Sequence, residues 1–294
     1  MDLVKKKSQG IATFGLLFGA FCWGVIWYPY RLMQEAGISG VAASLYTYLI
    51  AVVLFMIYFH KDGLRAFKQP KSILWLSIVA GWTNLSYVLA IIDGEVMRVM
   101  LLFYLSPLWT LILAHFWLKE RTNPRGVAVI VLSLIGAFIM FWQPEALPLP
   151  DNAAEWLALS SGMGFAMTNV ITRHSVHLSV NVKSMAVWIG VIVVCLLFLP
   201  FQESAIPTPS ELSLTQWTVI FLIALLLMAA TVFVQYGITH IPVTKASVLF
   251  MFELVVAAVA SYLLTDETLS LREWLGGSLI IIAALFAATN ETPS

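Results

Sequence analysis

The residue most able to do chemistry is Glu253, which stands about ten residues into the apolar run Val243–Leu264. A charged side chain at the centre of a bilayer costs from about 2.5 to over 10 kcal/mol. Such a carboxylate must face protein or water rather than lipid. Two functional roles suit it: carrying a coupling proton or contacting a cationic group. The structural alternative is a hydrogen bond or ion pair that holds two helices together. Gln keeps the shape and hydrogen-bonding capacity of this side chain, so Glu253→Gln separates the roles.

Other residues qualify as substrate contacts by type. Trp27, Tyr28, Tyr46, Trp82 and Tyr104 crowd the outer half of the first five apolar runs. They stack an apolar or cationic substrate, or they mark the lipid interface where such rings gather. Asn84 and Asn169 are cavity candidates, because a buried amide needs partners. Tyr236 joins the substrate-contact set. Pro107 interrupts the hydrogen-bond ladder of its run and is a candidate hinge, since the carbonyl it frees can bind ligand or permit bending. Ser77, Gly81 and Asn84 recur at helical period, as do Ser160, Gly164, Thr168 and Thr172, and Ala20, Gly24 and Tyr28. Such stripes either let helices approach closely or line a wet cavity. Arg31, Asp93, Glu95 and Arg98 are expected together at the external mouth. His174 and His177 lack a third ligand, so no metal is expected. Cys22 and Cys195 sit inside apolar runs and suggest no disulfide framework.

The elements that position these residues follow from composition. Hydrophobic residues make up 60% of the 294 and charged residues 11%. Soluble domains carry about 25% charge, so this chain has too little to cover a water-facing surface. The net charge of zero leaves no footprint for nucleic acid. A spanning helix needs about 20 mostly apolar residues. Ten segments qualify: Ile11–Met33, Ser39–Phe59, Ser72–Ile91, Val96–Leu118, Pro124–Trp142, Ala154–Ser175, Val182–Pro200, Gln216–Ile238, Val243–Leu264 and Leu271–Thr289. Lys5, Lys6 and Lys7 ahead of the first imitate a secretory signal, but the run is longer than such a signal's apolar core. With the N-terminus inside, cytoplasmic segments hold 13 of the 16 Lys and Arg residues and external ones hold Arg31, Arg98 and Arg272. That bias predicts a multi-pass protein of the inner (cytoplasmic) membrane with both termini cytoplasmic.

The chain also repeats itself at an offset of about 147 residues. Tyr104–Arg121 aligns with the segment around Glu253–Thr268, placing Glu120 on Glu267 and Arg125 on Arg272. A weaker match lays Trp23–Arg31 over Phe165–Arg173, with Arg31 on Arg173. Halves of five helices, residues 1–147 and 148–294, enter the membrane in opposite senses. Inverted repeats generate alternating access in transporters, because the two halves exchange conformations.

The sequence resembles the drug/metabolite transporter superfamily, and within it the ten-helix EamA-type exporters, over nearly its whole length. The resemblance rests on the first-run motif FGAFCWGVIW, on SPLWTLILAHFWLKER with its mid-run proline and terminal glutamate, and on the matching segment that closes with Asp266-Glu267. The family usually has Glu-Pro where this chain has Glu253-Leu254, which puts the second-half kink in question. The resemblance implies two inverted five-helix bundles around a central cavity, and export of amino acids or related metabolites.

No G-x-x-x-x-G-K-[ST] motif occurs, so coupling to protons or to a substrate gradient is expected, with no cofactor. The competing readings are an intramembrane enzyme for lipid-like substrates and a non-transporting partner protein. An enzyme needs several titratable groups converging near one interface, and the inverted repeat argues against both.

Overall fold

The computed structural model describes residues 2–66, 71–94, 96–120, 124–142, 150–201, 207–264 and 270–289. It is helical throughout, with no strand among the described residues. The helices are α1 (Asp2–Glu35), α2 (Gly40–Ala66), α3 (Lys71–Asp93), α4 (Val96–Phe103), α5 (Ser106–Leu113), α6 (Pro124–Phe141), α7 (Ala153–His174), α8 (Val180–Phe198), α9 (Leu214–His240), α10 (Val243–Phe250), α11 (Phe252–Leu264) and α12 (Leu271–Thr289). A π-helical turn, Ala114–Leu118, extends α5.

Local chemistry sets several of these boundaries. Gly37 adopts φ 83° after α1, a left-handed conformation that costs glycine nothing. Its neighbour Ile38 then returns a backbone N–H to the Met33 carbonyl, closing the helix end. Asn152 caps α7 by accepting from the Glu155 N–H at 2.9 Å. Ser213 and Gln216 form a reciprocal capping box at the head of α9.

Polarity is distributed as lipid, not water, requires. Leu197, Leu222, Leu263 and Leu285 are exposed, while Lys183, Asn169, Gln235 and Glu253 are buried. Among the described residues, seven stretches are long and apolar enough to cross a membrane: Ser8–Glu35, Gly40–Phe59, Ile73–Ile91, Val99–Leu118, Val180–Phe201, Leu214–His240 and Val243–Leu264. The remaining expected spans coincide with α6, α7 and α12, which are not among these seven. The apolar stretch of α6, Pro124–Met140, is shorter. In α7 hydropathy is lowered by Ser161, Thr168, Asn169 and Thr172, all turned into the protein.

Helix pairing crosses between the halves. α1 packs on α9 and on α11, α7 on α3 and on α4–α5, α2 on α8, and α6 on α12. Close backbone approach makes these contacts possible. A Cβ on Gly190 would lie 1.9 Å from the Ser77 carbonyl oxygen, and one on Gly81 would lie 2.3 Å from that of Gly190. Between α6 and α12, Gly136 and Gly276 each face the other's carbonyl at 2.8 and 2.4 Å from the position of a Cβ. The small-residue stripe of α3 is therefore, at Ser77 and Gly81, a packing surface for α8. Gly15 and Gly19 serve the same purpose against Phe233 and Val234 of α9.

Two spans are broken mid-course. α4 stops at Phe103, Tyr104 and Leu105 form a turn, and α5 restarts at Ser106. α10 stops at Phe250, and α11 restarts after Met251. Both breaks replace α-helical bonds by tighter ones, Leu105 N–H to Leu102 O at 3.3 Å and Met251 N–H to Val248 O at 3.1 Å. Tyr104 and Met251 are also the residues that the 147-residue register superposes. The run Val243–Leu264, read from sequence as one helix, is thus two. Its kink persists although Leu254 stands at the proline position. Pro107, for its part, occupies the first turn of α5, where its missing N–H disturbs nothing. The span is interrupted just ahead of the proline, at Phe103, whose carbonyl an unbroken helix would pair with the N–H that Pro107 lacks.

Candidate functional site

The two breaks bring the deepest carboxyl group and an aromatic cluster together. Glu253, 9% exposed, heads α11. Its backbone carbonyl lies against Gly24 of α1, where a Cβ would stand 2.9 Å away, so only glycine lets the helices meet so closely. The Tyr104 hydroxyl, carried by the first break, is a close electrostatic neighbour of the Glu253 carboxyl. Their mutual geometry falls short of a hydrogen bond, and the hydroxyl has no other partner among the described residues. Tyr87 of α3 also lies within electrostatic reach of Glu253.

A chain of ring contacts continues from these tyrosines. Phe103 touches Tyr87 at 4.9 Å, Tyr104 at 5.2 Å and Phe165 of α7 at 5.6 Å between ring centroids. Phe165 in turn meets Phe250 at 5.2 Å and Trp23 of α1 at 6.0 Å, and Trp23 meets Phe250 at 5.7 Å. Edge-on and tilted arrangements predominate, as the ring quadrupoles prefer. Glu253 and Tyr104, both candidates from sequence, are brought together here. Tyr87, Trp23, Phe103, Phe165 and Phe250 are additional members. The sequence did hold a signal for four of them: Trp23 falls on Phe165 in the weaker repeat match, and Phe103 falls on Phe250 in the stronger one.

The other candidates make contacts of their own. Trp27 packs on Tyr28 at 5.6 Å, Trp82 on Phe198 at 6.2 Å, and Tyr46 on Trp217 at 5.4 Å. These contacts tie Trp82 and Tyr46 to α8 and α9, not to the Glu253 cluster. Asn84 donates to the Tyr48 hydroxyl at 3.4 Å. The Asn169 amide nitrogen is buried in α7 with no partner among the described residues. Tyr236 stacks on His240 at 4.1 Å and meets Ser8 at 3.2 Å, near the end of α9. At the expected mouth cluster, Arg31 pairs with Glu35 at 3.2 Å; Glu95 and the side chains of Asp93 and Arg98 lie outside the described residues.

A second polar constellation closes the far ends of these helices. The π-helical turn leads into Lys119, whose left-handed φ of 55° redirects the chain at Glu120. Glu120 accepts from the Arg173 Nε at 3.0 Å, and its other oxygen accepts from the Val243 N–H at 3.3 Å. Arg173 also donates to the Thr239 carbonyl. Lys183, fully buried, donates to the Thr239 hydroxyl and, at 3.5 Å, to the Thr172 carbonyl. One first-half carboxylate is therefore bonded directly to the ends of two second-half helices, α7 and α10, and through Arg173 to the end of α9. Glu120 and Arg173 entered the sequence reading only as anchors of the repeat register, because their pairing joins residues 53 apart in the chain.

Comparison with known proteins fits this architecture. A solved structure titled "Crystal structure of protein" superposes with a TM-score of 0.75 over 95% of this chain and 97% of its own, at 18% identity, which bears on the fold alone. The uncharacterized transporter YoaV of Bacillus subtilis is 25% identical over 94% of this chain and 95% of its own length. An S-adenosylmethionine uptake transporter of Rickettsia prowazekii is 26% identical over 83% of this chain and 80% of its own. A riboflavin transporter of Brucella anthropi is 24% identical over 88% and 91%. The model of the EamA-like transporter family matches twice, at residues 10–142 and 152–289. With its apolar helices and both of those matches, this chain belongs to the EamA-like transporter family of multi-pass membrane proteins.

Proposed function

We propose that this protein is a secondary transporter of small amphipathic metabolites, amino acids among them, working by alternating access between two inverted five-helix halves, residues 1–147 and 148–294. The observation that carries the proposal is the cross-half clamp of Glu120 on Arg173 and Val243, set at the ends of two broken spans. Broken helices leave backbone groups free at membrane depth, where transporters place their substrate sites. A clamp at one end of that region acts as a gate: closed, it seals one side; released, it lets α7, α9 and α10 part from the first half. The two repeat matches, one laying Glu120 on Glu267 and the weaker one laying Arg31 on Arg173, supply residue types for a counterpart at the other face. Glu267 lies outside the described residues.

Glu253 is the candidate proton carrier within this scheme, with Tyr87 and Tyr104 as the titratable groups beside it. The resemblance implies export, whereas two relatives are named for uptake or transport of S-adenosylmethionine and riboflavin. Proteoliposomes with the protein in known orientation test the scheme directly. Flux of radiolabelled metabolites is measured for wild type, Glu120→Arg, Arg173→Glu and the double exchange. Each single change should cut flux at least about tenfold, since like charges meet in the clamp, and the exchange should restore much of it. Flux is also measured at several pH values for Glu253→Gln, and a profile identical to wild type removes Glu253 from coupling. Absence of flux for any metabolite class in wild type sinks the transporter reading.

A further inference from the structure

Helices α5 and α6 follow each other in the chain but scarcely touch: α5 packs mainly on α7 and α10, and α6 on α12. Between them lies a groove of about 320 Å³, lined by Leu111, Ile112, His115, Phe116 and Glu120 on one side and Val127 on the other. Its apolar walls turn outward: Ile112, Phe116 and Val127 are all exposed, Phe116 to 77%. Ile112 and Phe116 belong to the membrane-competent stretch Val99–Leu118, so outward here means towards lipid. Left empty, such a groove would forfeit the dispersion contacts of both walls.

The polar members of the groove gather at one end of that stretch. His115 stands three residues before Leu118, roughly 5 Å by helical rise, which is headgroup depth. Its ring nitrogens have no hydrogen-bond partner among the described residues. Glu120 accepts from Arg173 and from the Val243 N–H, yet its side chain stays 21% exposed. Each of its oxygens keeps a lone pair for a further donor. Lys119, next to it, is exposed. A carboxylate, an imidazole and an ammonium at the end of an apolar groove complement a head that carries both signs.

We infer that this groove is a binding site for a phospholipid with a primary ammonium head, of the phosphatidylethanolamine kind. An acyl chain lies along Leu111, Ile112, Phe116 and Val127; the ammonium donates to Glu120; the phosphate accepts from His115, with Lys119 beside it. A wholly anionic head would leave Glu120 facing like charge, and a quaternary ammonium has no N–H to donate. The site goes beyond the transport reading and stands without it, since a lipid binds whether or not a solute crosses. Glu120 belongs to both, so the bound head reaches the carboxylate of the cross-half clamp.

Native mass spectrometry of the purified full-length protein in detergent tests the inference with three lipids of identical chains: phosphatidylethanolamine, phosphatidylcholine and phosphatidylglycerol. At equal concentrations the first should be retained at least about fivefold more than either other, the worth of about one net hydrogen bond. Glycerophosphoethanolamine, the same head without chains, should not displace it even in large excess. Val127→Trp, which fills the groove and leaves the head contacts in place, should bring its retention down to that of phosphatidylcholine. Leu222→Trp, on the exposed side of α9, should change nothing. Glu120→Gln and His115→Leu should each shrink the preference. Glu120→Gln also loosens the clamp, so His115→Leu and Val127→Trp, both at exposed positions, decide the matter if it does not fold. Equal retention of the three lipids, a preference for another head or displacement by the chainless head would each overturn the inference. So would a preference untouched by Val127→Trp and His115→Leu, or one lost equally in Leu222→Trp. Liposome flux without this retention removes the lipid site and leaves the transport reading standing; retention without flux does the reverse.

Discussion

At the scale of single residues, Tyr104 is the informative companion of Glu253. Its hydroxyl is buried beside the carboxyl with no other partner among the described residues. Removing an unpaired buried hydroxyl leaves no orphaned group behind, so Tyr104→Phe should change stability by less than about 1 kcal/mol. If the hydroxyl helps to hold the carboxyl towards a substrate, the same change should weaken substrate binding roughly fivefold, the worth of about one net hydrogen bond. Thermal unfolding and titration of one preparation give both numbers. Equal loss of stability and affinity assigns the hydroxyl to packing. The residue types were legible in the sequence, since a mid-span carboxylate and a tyrosine three residues before a mid-run proline are conspicuous. Their proximity was not, because 149 positions, from Tyr104 to Glu253, separate them in the chain.

At the scale of elements, the two broken spans share a register position but not a proline. Ser106-Pro107 and Glu253-Leu254 are register partners, and both lie in the first turn after a break. Leu254→Pro therefore removes one backbone bond, Leu254 N–H to Met251 O at 3.1 Å, at a helix start that already tolerates proline. The expected cost is about 1 kcal/mol. Val256→Pro, further inside α11, should cost about 3 kcal/mol or more, because it removes an interior bond and crowds the preceding turn. Their Tm values against wild type check the order; similar losses for both would mean that α11 starts later than Phe252. The π-helical turn at Ala114–Leu118 had no sequence signature. One extra residue in a turn leaves apolar periodicity nearly intact, yet it decides where Glu120 points.

At the scale of the whole molecule, the proposed five-plus-five arrangement makes a topological prediction. A reporter fused after Ser294 should be active only as a cytoplasmic fusion, and one inserted at Glu211, in the connection between α8 and α9, only as an external one. Both on one face would end the inverted-repeat scheme and, with it, the gating role given to the clamp. The helix pairs favour the scheme: exchanging the halves turns α1 on α9 into α7 on α3, and α1 on α11 into α7 on α5.

Composition and apolar run length by themselves determined that the chain is a multi-pass helical membrane protein, because lipid admits only segments that satisfy their own backbone. The motifs FGAFCWGVIW and SPLWTLILAHFWLKER likewise sufficed for the family. Which polar residues meet was decided by tertiary structure alone. The sequence placed Trp27, Tyr28, Tyr46, Trp82 and Tyr104 in the outer half of the first five runs; that Tyr46 meets Trp217, Trp82 meets Phe198 and Tyr104 neighbours Glu253 came from the tertiary structure. Helical period fixes the face a residue occupies but not the neighbour that face receives. Neighbours follow from close approaches such as Gly24 against Glu253 and Gly190 against Ser77, and each of those exists only once two distant helices have packed.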